Sequence, residues 1–206
     1  MKIITISREF GSGGREIGKR LSELLGFDYY DSEILTVVAN HSGMNPEYVE
    51  NKLANHGWEA FPLTYRGTLD SMDYARAGDI SLLLKQKEVL EEIAKLGKDC
   101  VIIGRNSDVI LKKYNPFNIF VCADMEAKIK RCMEREAEEA HLTERDLVKK
   151  MKQIDKQRAQ TRAILSGSAW GKREAYHLIV NTTDWEIKEL VPALADFANS
   201  WFNKEK

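Results

Sequence analysis

The stretch Ile3-Ile-Thr-Ile-Ser-Arg-Glu-Phe-Gly-Ser-Gly-Gly-Arg-Glu-Ile-Gly-Lys-Arg-Leu21 decides the fold. Its first five residues are short, β-branched and apolar, as expected of a strand buried on both faces. Gly11, Gly13 and Gly14 then break the pattern. Ile17, Leu21, Leu24 and Leu25 follow at helical spacing until Gly26 stops the helix. Phe27–Asp31 reads as a second short strand ending in a carboxylate. Strand, glycine loop, helix and strand in that order make a βαβ unit, which implies parallel pairing with a right-handed crossover.

Outward from this unit, strands keep alternating with helices. Ser32 to about Lys98 is mostly helical in pattern, punctuated by Pro46, Gly57, Pro62, Gly67 and Gly78. Within it Ile80–Leu96 is an amphipathic helix ended by Gly97. Cys100–Ile103 is a third strand, followed by Gly104-Arg105, and Ile119–Cys122 a fourth. Asp124 starts a charged helix to about Glu139. Leu178–Val180 is a fifth strand, and the tail from Trp185 has helical periodicity through Leu190, Leu194, Phe197 and Trp201. No repeat or low-complexity linker interrupts the order. One domain is expected, an α/β open parallel sheet of about five strands covered by helices on both faces.

Composition narrows the function classes. The chain has 206 residues, 43% of them hydrophobic, and its 31 Lys and Arg nearly balance 32 Asp and Glu. That length buries a substantial core, and the balance argues against a dedicated nucleic-acid binder. No run approaches the roughly 18 apolar residues of a membrane span. Met1–Ile6 has a short apolar run but no small-residue cleavage site, so the expected compartment is the cytoplasm. Cys100, Cys122 and Cys132 form no C-x-x-C pair and read as small buried hydrophobes. His41, His56, His141 and His177 lack ligand spacing, so no resident metal site is expected.

A glycine loop between a buried strand and a helix has a specific use. Glycines let the backbone approach a polyphosphate, and the N–H groups at the helix start point at the anion. Tight turns also need glycine, so placement carries the argument. Gly13–Lys19 formally fits G-x-x-x-x-G-K, with Arg20 where Ser or Thr would meet Mg²⁺. That register leaves barely two helical turns before Gly26 and makes Arg8–Ser12 an unexplained linker.

Ile6–Leu21, followed by Leu25-Gly-Phe-Asp-Tyr-Tyr-Asp31, resembles the opening of the cytidylate kinase-like family, P-loop relatives of the bacterial CMP kinases. Val101-Ile-Ile-Gly-Arg105 resembles a later strand of that family. Asp155-x-x-Arg158 and Trp170-Gly171 ahead of Tyr176-x-Leu178 resemble its lid and last strand. The resemblance implies a P-loop NTPase-like fold with a helical lid at about 140–171 and an acceptor-binding insertion at about 32–98. Gly43–Gly78, with Tyr48, Trp58, Phe61 and Tyr65, falls in that insertion.

The same resemblance implies ATP and Mg²⁺ as cofactors and a nucleoside monophosphate, CMP or dCMP first, as acceptor. It places the P-loop at Arg8–Glu16, with nucleotide contacts from Phe10, Gly11, Ser12, Gly13, Gly14 and Arg15. Gly14 then stands at the position of the ATP-clamping lysine and Arg15 at that of the Mg²⁺-binding hydroxyl. Arg15 becomes the nearest cation able to replace the lysine, and Lys19 lies more than a turn into the helix.

Phosphoryl transfer needs positive charge aimed at the migrating group. Arg105, past a strand's C-terminal end, is a candidate clamp for the acceptor or simply a surface arginine at a helix start. Thr143–Arg162 carries seven Lys and Arg against three Asp and Glu. Arg158 and Arg162 share a helix face at i, i+4, and Asp155 is placed to pair with Arg158. By the resemblance these are arginines of a lid closing over ATP; otherwise the helix is a solvated face. Asp31 belongs to the acceptor region or holds Mg²⁺ indirectly, with helix capping an equal use. Trp170 covers a base or packs in the core, and His177 stands where the family more often has Asp. A non-enzymatic nucleotide-binding module and a kinase of another small acceptor are the rival readings.

Overall fold

The computed structural model describes residues 1–31, 80–136 and 143–204. The acceptor insertion expected at 32–98 falls largely on 32–79, outside the described residues, as do residues 140–142 of the expected lid. Five strands form one sheet: β1 (Ile3–Arg8), β2 (Asp28–Tyr30), β3 (Cys100–Ile103), β4 (Phe117–Cys122) and β5 (Leu178–Asn181). They lie in the order β2-β3-β1-β4-β5, and every pair is parallel. Helices α1 (Gly14–Leu25), α2 (Ile80–Lys95), α3 (Ser107–Ile110), α4 (Met125–Glu136), α5 (Glu144–Ser166) and α6 (Ile187–Phe202) connect and flank them.

Alternation along the strands sets the two faces. Ile4, Ile6, Val101, Ile103, Ile119 and Val121 point to one side. There they pack on Ile17 and Leu21 of α1 and on Ile187, Val191 and Leu194 of α6. Ile3, Cys100 and Ile102 point to the other, against Val89, Leu90 and Ile93 of α2. A third cluster joins Phe10 and Cys132 to Leu147, Met151 and Ile154 of α5, so α5 packs against the loop after β1.

All five expected strands are present. β4 begins two residues earlier than expected, at Phe117, whose ring is fully buried and stacks on Phe197 and Trp201 of α6. Gly26 ends α1 in the left-handed conformation at φ 68°. Leu24, expected on the apolar stripe, is exposed. Among the described residues no helix is long and apolar enough to cross a membrane. The three cysteines are free, with Cys100 and Cys132 buried.

Because β1 is central and its sequence neighbour β2 lies beyond β3, the chain departs from β1 in one direction and returns to β4 on its other side. The C-terminal ends of the strands around this reversal form the ligand edge of a parallel sheet. Arg8, Asp31, Gly104-Arg105, Ala123 and Thr182 all follow or end strands there.

Leu21 is 0% exposed and Leu24 57% exposed on the same helix. Leu21→Ala should therefore cost about 2–5 kcal/mol by urea unfolding, and Leu24→Ala under about 0.5 kcal/mol. Equal costs would mean that α1 does not dock on the face described.

Candidate functional site: a phosphate loop beneath an arginine cluster

The loop from Glu9 to Gly13 has nearly every carbonyl turned into the protein. Arg158 Nη1 donates to Arg8 O at 3.0 Å. Ser12 donates to Glu9 O from both its N–H (3.4 Å) and its hydroxyl (2.8 Å). Arg131 Nη1 donates to Gly11 O at 2.9 Å, and the buried hydroxyl of Thr182 donates to Ser12 O at 2.7 Å. Glu9 is held in turn by Lys128 Nζ at 2.8 Å, and its N–H donates to Val121 O.

With these carbonyls committed to donors inside the protein, the glycine amides are the loop's remaining backbone polar groups. Among the described residues the N–H groups of Gly11, Gly13 and Gly14 meet no backbone carbonyl. Gly11 and Gly13 sit at φ 77° and 81°, a conformation that side chains rarely adopt. Gly13 caps α1 without a side-chain acceptor. The N–H groups of the first helical turn and the positive end of a 12-residue helix thus lie at the same loop. Such a nest binds anions, phosphate above all.

The helix begins at Gly14. Gly18 and Lys19 consequently lie in its second turn, and a Cβ on Gly18 would fall on Ile103 and Ile6 of the core. The formal G-x-x-x-x-G-K reading of Gly13–Lys19 puts helix where a loop is required, so the loop is the one preceding Gly14.

Four arginines gather over this loop. Arg15 Nε is ion-paired with the buried carboxylate of Asp31 at 2.5 Å. This ties the helix start to the end of β2. Arg158 binds Asp155 Oδ1 at 2.9 Å, and Asp155 also accepts from Phe10 N–H at 2.9 Å. The expected Asp155–Arg158 pairing thus latches α5 to the loop's backbone. Burial pushes the Asp155 carboxyl up, against the pull of Arg158 and the Phe10 amide.

Arg105 follows β3 in a run of three left-handed residues, Gly104 (φ 72°), Arg105 (φ 54°) and Asn106 (φ 53°). Strain of that kind persists where the surrounding structure enforces it. Here it turns the chain at the sheet's ligand edge. Arg8 lies nearest the centre. Burial and then Arg158 lower its guanidinium to about 9, while Asp31 opposes the shift and Arg105 adds to it. Desolvation raises the neighbouring phenol of Tyr29, which stays neutral.

Arg162 departs from the sequence expectation. Although it shares a face with Arg158, its Nη1 is paired with Asp108 Oδ2 at 2.6 Å, and both side chains are 3% exposed. Its Nε donates to Ser168 Oγ, and the guanidinium covers Tyr176 at 5.3 Å. It fastens α5 to α3 rather than facing the loop. Trp170 packs edge-on against Phe120 of β4. His177 precedes β5, on the edge opposite the loop, tilted against Trp201 and stacked on Phe117, with Nδ1 accepting from Asn118 N–H.

The sequence does not mark out Lys128, Arg131 or Thr182. A charged helix and a Thr-Thr pair carry no local signal, and only the fold brings them under the loop. Beside them a cavity of about 530 Å³ opens between α1, α4 and the β5–α6 connection, lined by Arg131, Thr183, Asp184 and Trp185 among others.

The residues fit a polyphosphate. They offer Mg²⁺ little directly: Ser12 Oγ is bonded to Glu9 O, and Asp31 is paired with Arg15. Among the described residues there is no group of three metal-ligating side chains. Mg²⁺ would therefore come as the counter-ion of a bound nucleotide rather than sit on a set of protein ligands.

A family model, the cytidylate kinase-like family, matches residues 3–184. The chain belongs to that family. An uncharacterized protein from Eubacterium ventriosum has a similar structure at TM-score 0.71 and 24% identity, over 97% of this chain and 99% of that one. A shikimate kinase from Bacteroides thetaiotaomicron matches at TM-score 0.54 and 13% identity, over 96% and 98% of the two chains. One from Acinetobacter baumannii, in complex with shikimate, matches at TM-score 0.52 and 16% identity, over 99% and 96%. At these identities the likeness shows the fold alone, that of the P-loop kinases. No curated protein matches the sequence significantly.

Removing one partner of a buried ion pair strands the other charge. Asp108→Ala should destabilise the protein by about 3–5 kcal/mol, and Asp108→Leu with Arg162→Met should regain most of that loss in urea unfolding. A near-neutral Asp108→Ala would show that Arg162 is solvated and available for another task.

Proposed function

We propose that this protein transfers a phosphoryl group from ATP to a nucleoside monophosphate, with CMP or dCMP the first acceptor to try. The observation that carries the reading is the inward-facing amide nest between β1 and α1, with arginines gathered over it. Family membership supports kinase chemistry, and the acceptor is our own extension of it.

In this reading the phosphates lie on the backbone of Phe10, Gly11, Ser12, Gly13, Gly14 and Arg15. The acceptor approaches from the β2 and β3 side, near Asp31 and Arg105. An oxygen of its phosphate attacks the γ-phosphorus, the bond to the β-phosphate oxygen breaks, and ADP leaves. The protein supplies position and charge. Arg105 orients the acceptor, and the Arg15–Asp31 pair joins the donor and acceptor sides. Arg158 holds the loop entry and adds positive charge beside it. Arg162 serves at one remove, by fixing the helix that carries Arg158. Mg²⁺ arriving with ATP supplies charge neutralisation on the phosphates. The surroundings are those of a cytoplasmic enzyme, and the partners are nucleotides rather than nucleic acid or membrane.

One observation favours a second reading. Gly14 brings no side chain to the position where a lysine is usual, which suits a binding module without turnover.

ADP with Mg²⁺ should raise the melting temperature progressively, by about 2.7 kcal/mol of stabilisation at a hundredfold excess over Kd. No shift with millimolar ATP or ADP would sink both readings. ADP release from ATP should rise on adding CMP or dCMP; binding without acceptor-dependent release would favour the module. A panel including AMP, UMP and shikimate separates the acceptors.

Arg15→Ala should weaken nucleotide binding or turnover at least about tenfold, as expected for a lost charged contact. Lys19→Ala should change either by less than about threefold, under roughly 0.7 kcal/mol. The reverse ranking would return the loop to the Gly13–Lys19 register.

A further inference from the structure

Gly14 leaves a gap in the usual chemistry of such a loop, and the structure fills that gap from another element. A Cβ built on Gly14 would stand 2.6 Å from Arg8 Cβ and 3.1 Å from Arg8 Cγ. A Cβ on Gly104, at the end of β3, would fall on Arg8 Nη1. The side chain of Arg8 therefore runs from the end of β1, past the first residue of α1, to the turn after β3. It occupies room that two glycines on different elements leave for it. Gly104 also has φ 72°, so glycine answers both demands there.

We propose that Arg8 supplies the phosphate-clamping cation of this loop, taking over from strand β1 the role that a lysine at position 14 would otherwise play. The inference rests on reading the loop as a nucleotide site. A lysine at 14 and the arginine at 8 exclude one another, because the Cβ of the first overlaps the stem of the second. The chain's departure from G-x-x-x-x-G-K is then a relocation of charge.

The electrostatics agree with that geometry. Arg8, Arg15, Arg105 and Arg158 gather with two carboxylates, Asp31 and Asp155, and the neutral phenol of Tyr29. Arg8 is only 9% exposed, and its burial beside Arg158 costs the charged form stability. At about 9 it remains a cation at neutral pH. A buried charge kept at such a cost is characteristic of functional sites. An incoming phosphate would bring negative charge beside these guanidinium groups and, with a guanidinium, form paired N–H to oxygen contacts.

The test compares Mg²⁺-ADP and Mg²⁺-ATP binding by calorimetry in the wild type and three variants. Arg8→Met keeps the stem and removes the charge. It should bind at least about tenfold more weakly while still unfolding in one cooperative transition. Arg8→Gly should bind weakly, and Arg8→Gly combined with Gly14→Lys should bind at least about tenfold better than Arg8→Gly alone. A residue that merely fills space would give the opposite pattern, with Met tolerated and the exchange without benefit.

Wild-type binding with an unchanged Arg8→Met affinity would overturn the inference and leave the nucleotide reading intact. Should Arg8→Met fail to fold, the exchanged pair decides: no gain over Arg8→Gly overturns it. A wild type that binds neither nucleotide overturns the reading and this inference together.

Discussion

Everything at the ligand edge depends on where the carbonyls of one short loop point. A backbone that is to present several N–H groups to an anion must dispose of the carbonyls between them, because a carbonyl facing a phosphate repels it. Here Arg158 takes the carbonyl of Arg8, Ser12 that of Glu9, Arg131 that of Gly11 and Thr182 that of Ser12. These partners come from α5, the loop itself, α4 and the end of β5. The nest is therefore a property of the assembled sheet and its helices, and it exists only when β4, β5 and α5 are docked.

That dependence explains the division of labour among the arginines. Arg131 and Arg158 spend donors on backbone carbonyls and shape the loop, while Arg162 joins α5 to α3 through Asp108. Arg15 is bound to Asp31. Arg8 ends β1 and Arg105 follows β3, at the C-terminal edge of two adjacent strands. Helix α5 reaches both the loop, through Asp155 on Phe10, and the far side of the sheet edge, through Arg162. A shift of α5 would move the loop and α3 together.

Most of the architecture was legible from local pattern. Short β-branched runs bounded by glycine and alternating with 3.6-period stretches specify a parallel sheet, because only crossovers of that length leave strands buried on both faces. The placement of Gly11–Gly14 between the first strand and helix marked the loop for the same reason. What local pattern does not encode is the partner of a charged side chain. Arg158 and Arg162 look equivalent at i, i+4, yet one meets a loop carbonyl and the other a buried aspartate 54 residues away in sequence. Arg8 reads as an ordinary residue at a strand's end. Its part emerges only from the room left at Gly14 and Gly104, which belong to different elements.

The central claim is that the amides of this loop hold phosphate, and backbone NMR tests it residue by residue. In ¹⁵N-labelled protein titrated with Mg²⁺-ADP, the amide resonances of Gly11, Gly13 and Gly14 should move downfield together, along one binding isotherm. Inorganic phosphate should shift the same three in the same direction at higher concentration. Unmoved glycine amides under saturating nucleotide, with shifts confined to other surfaces, would contradict the account.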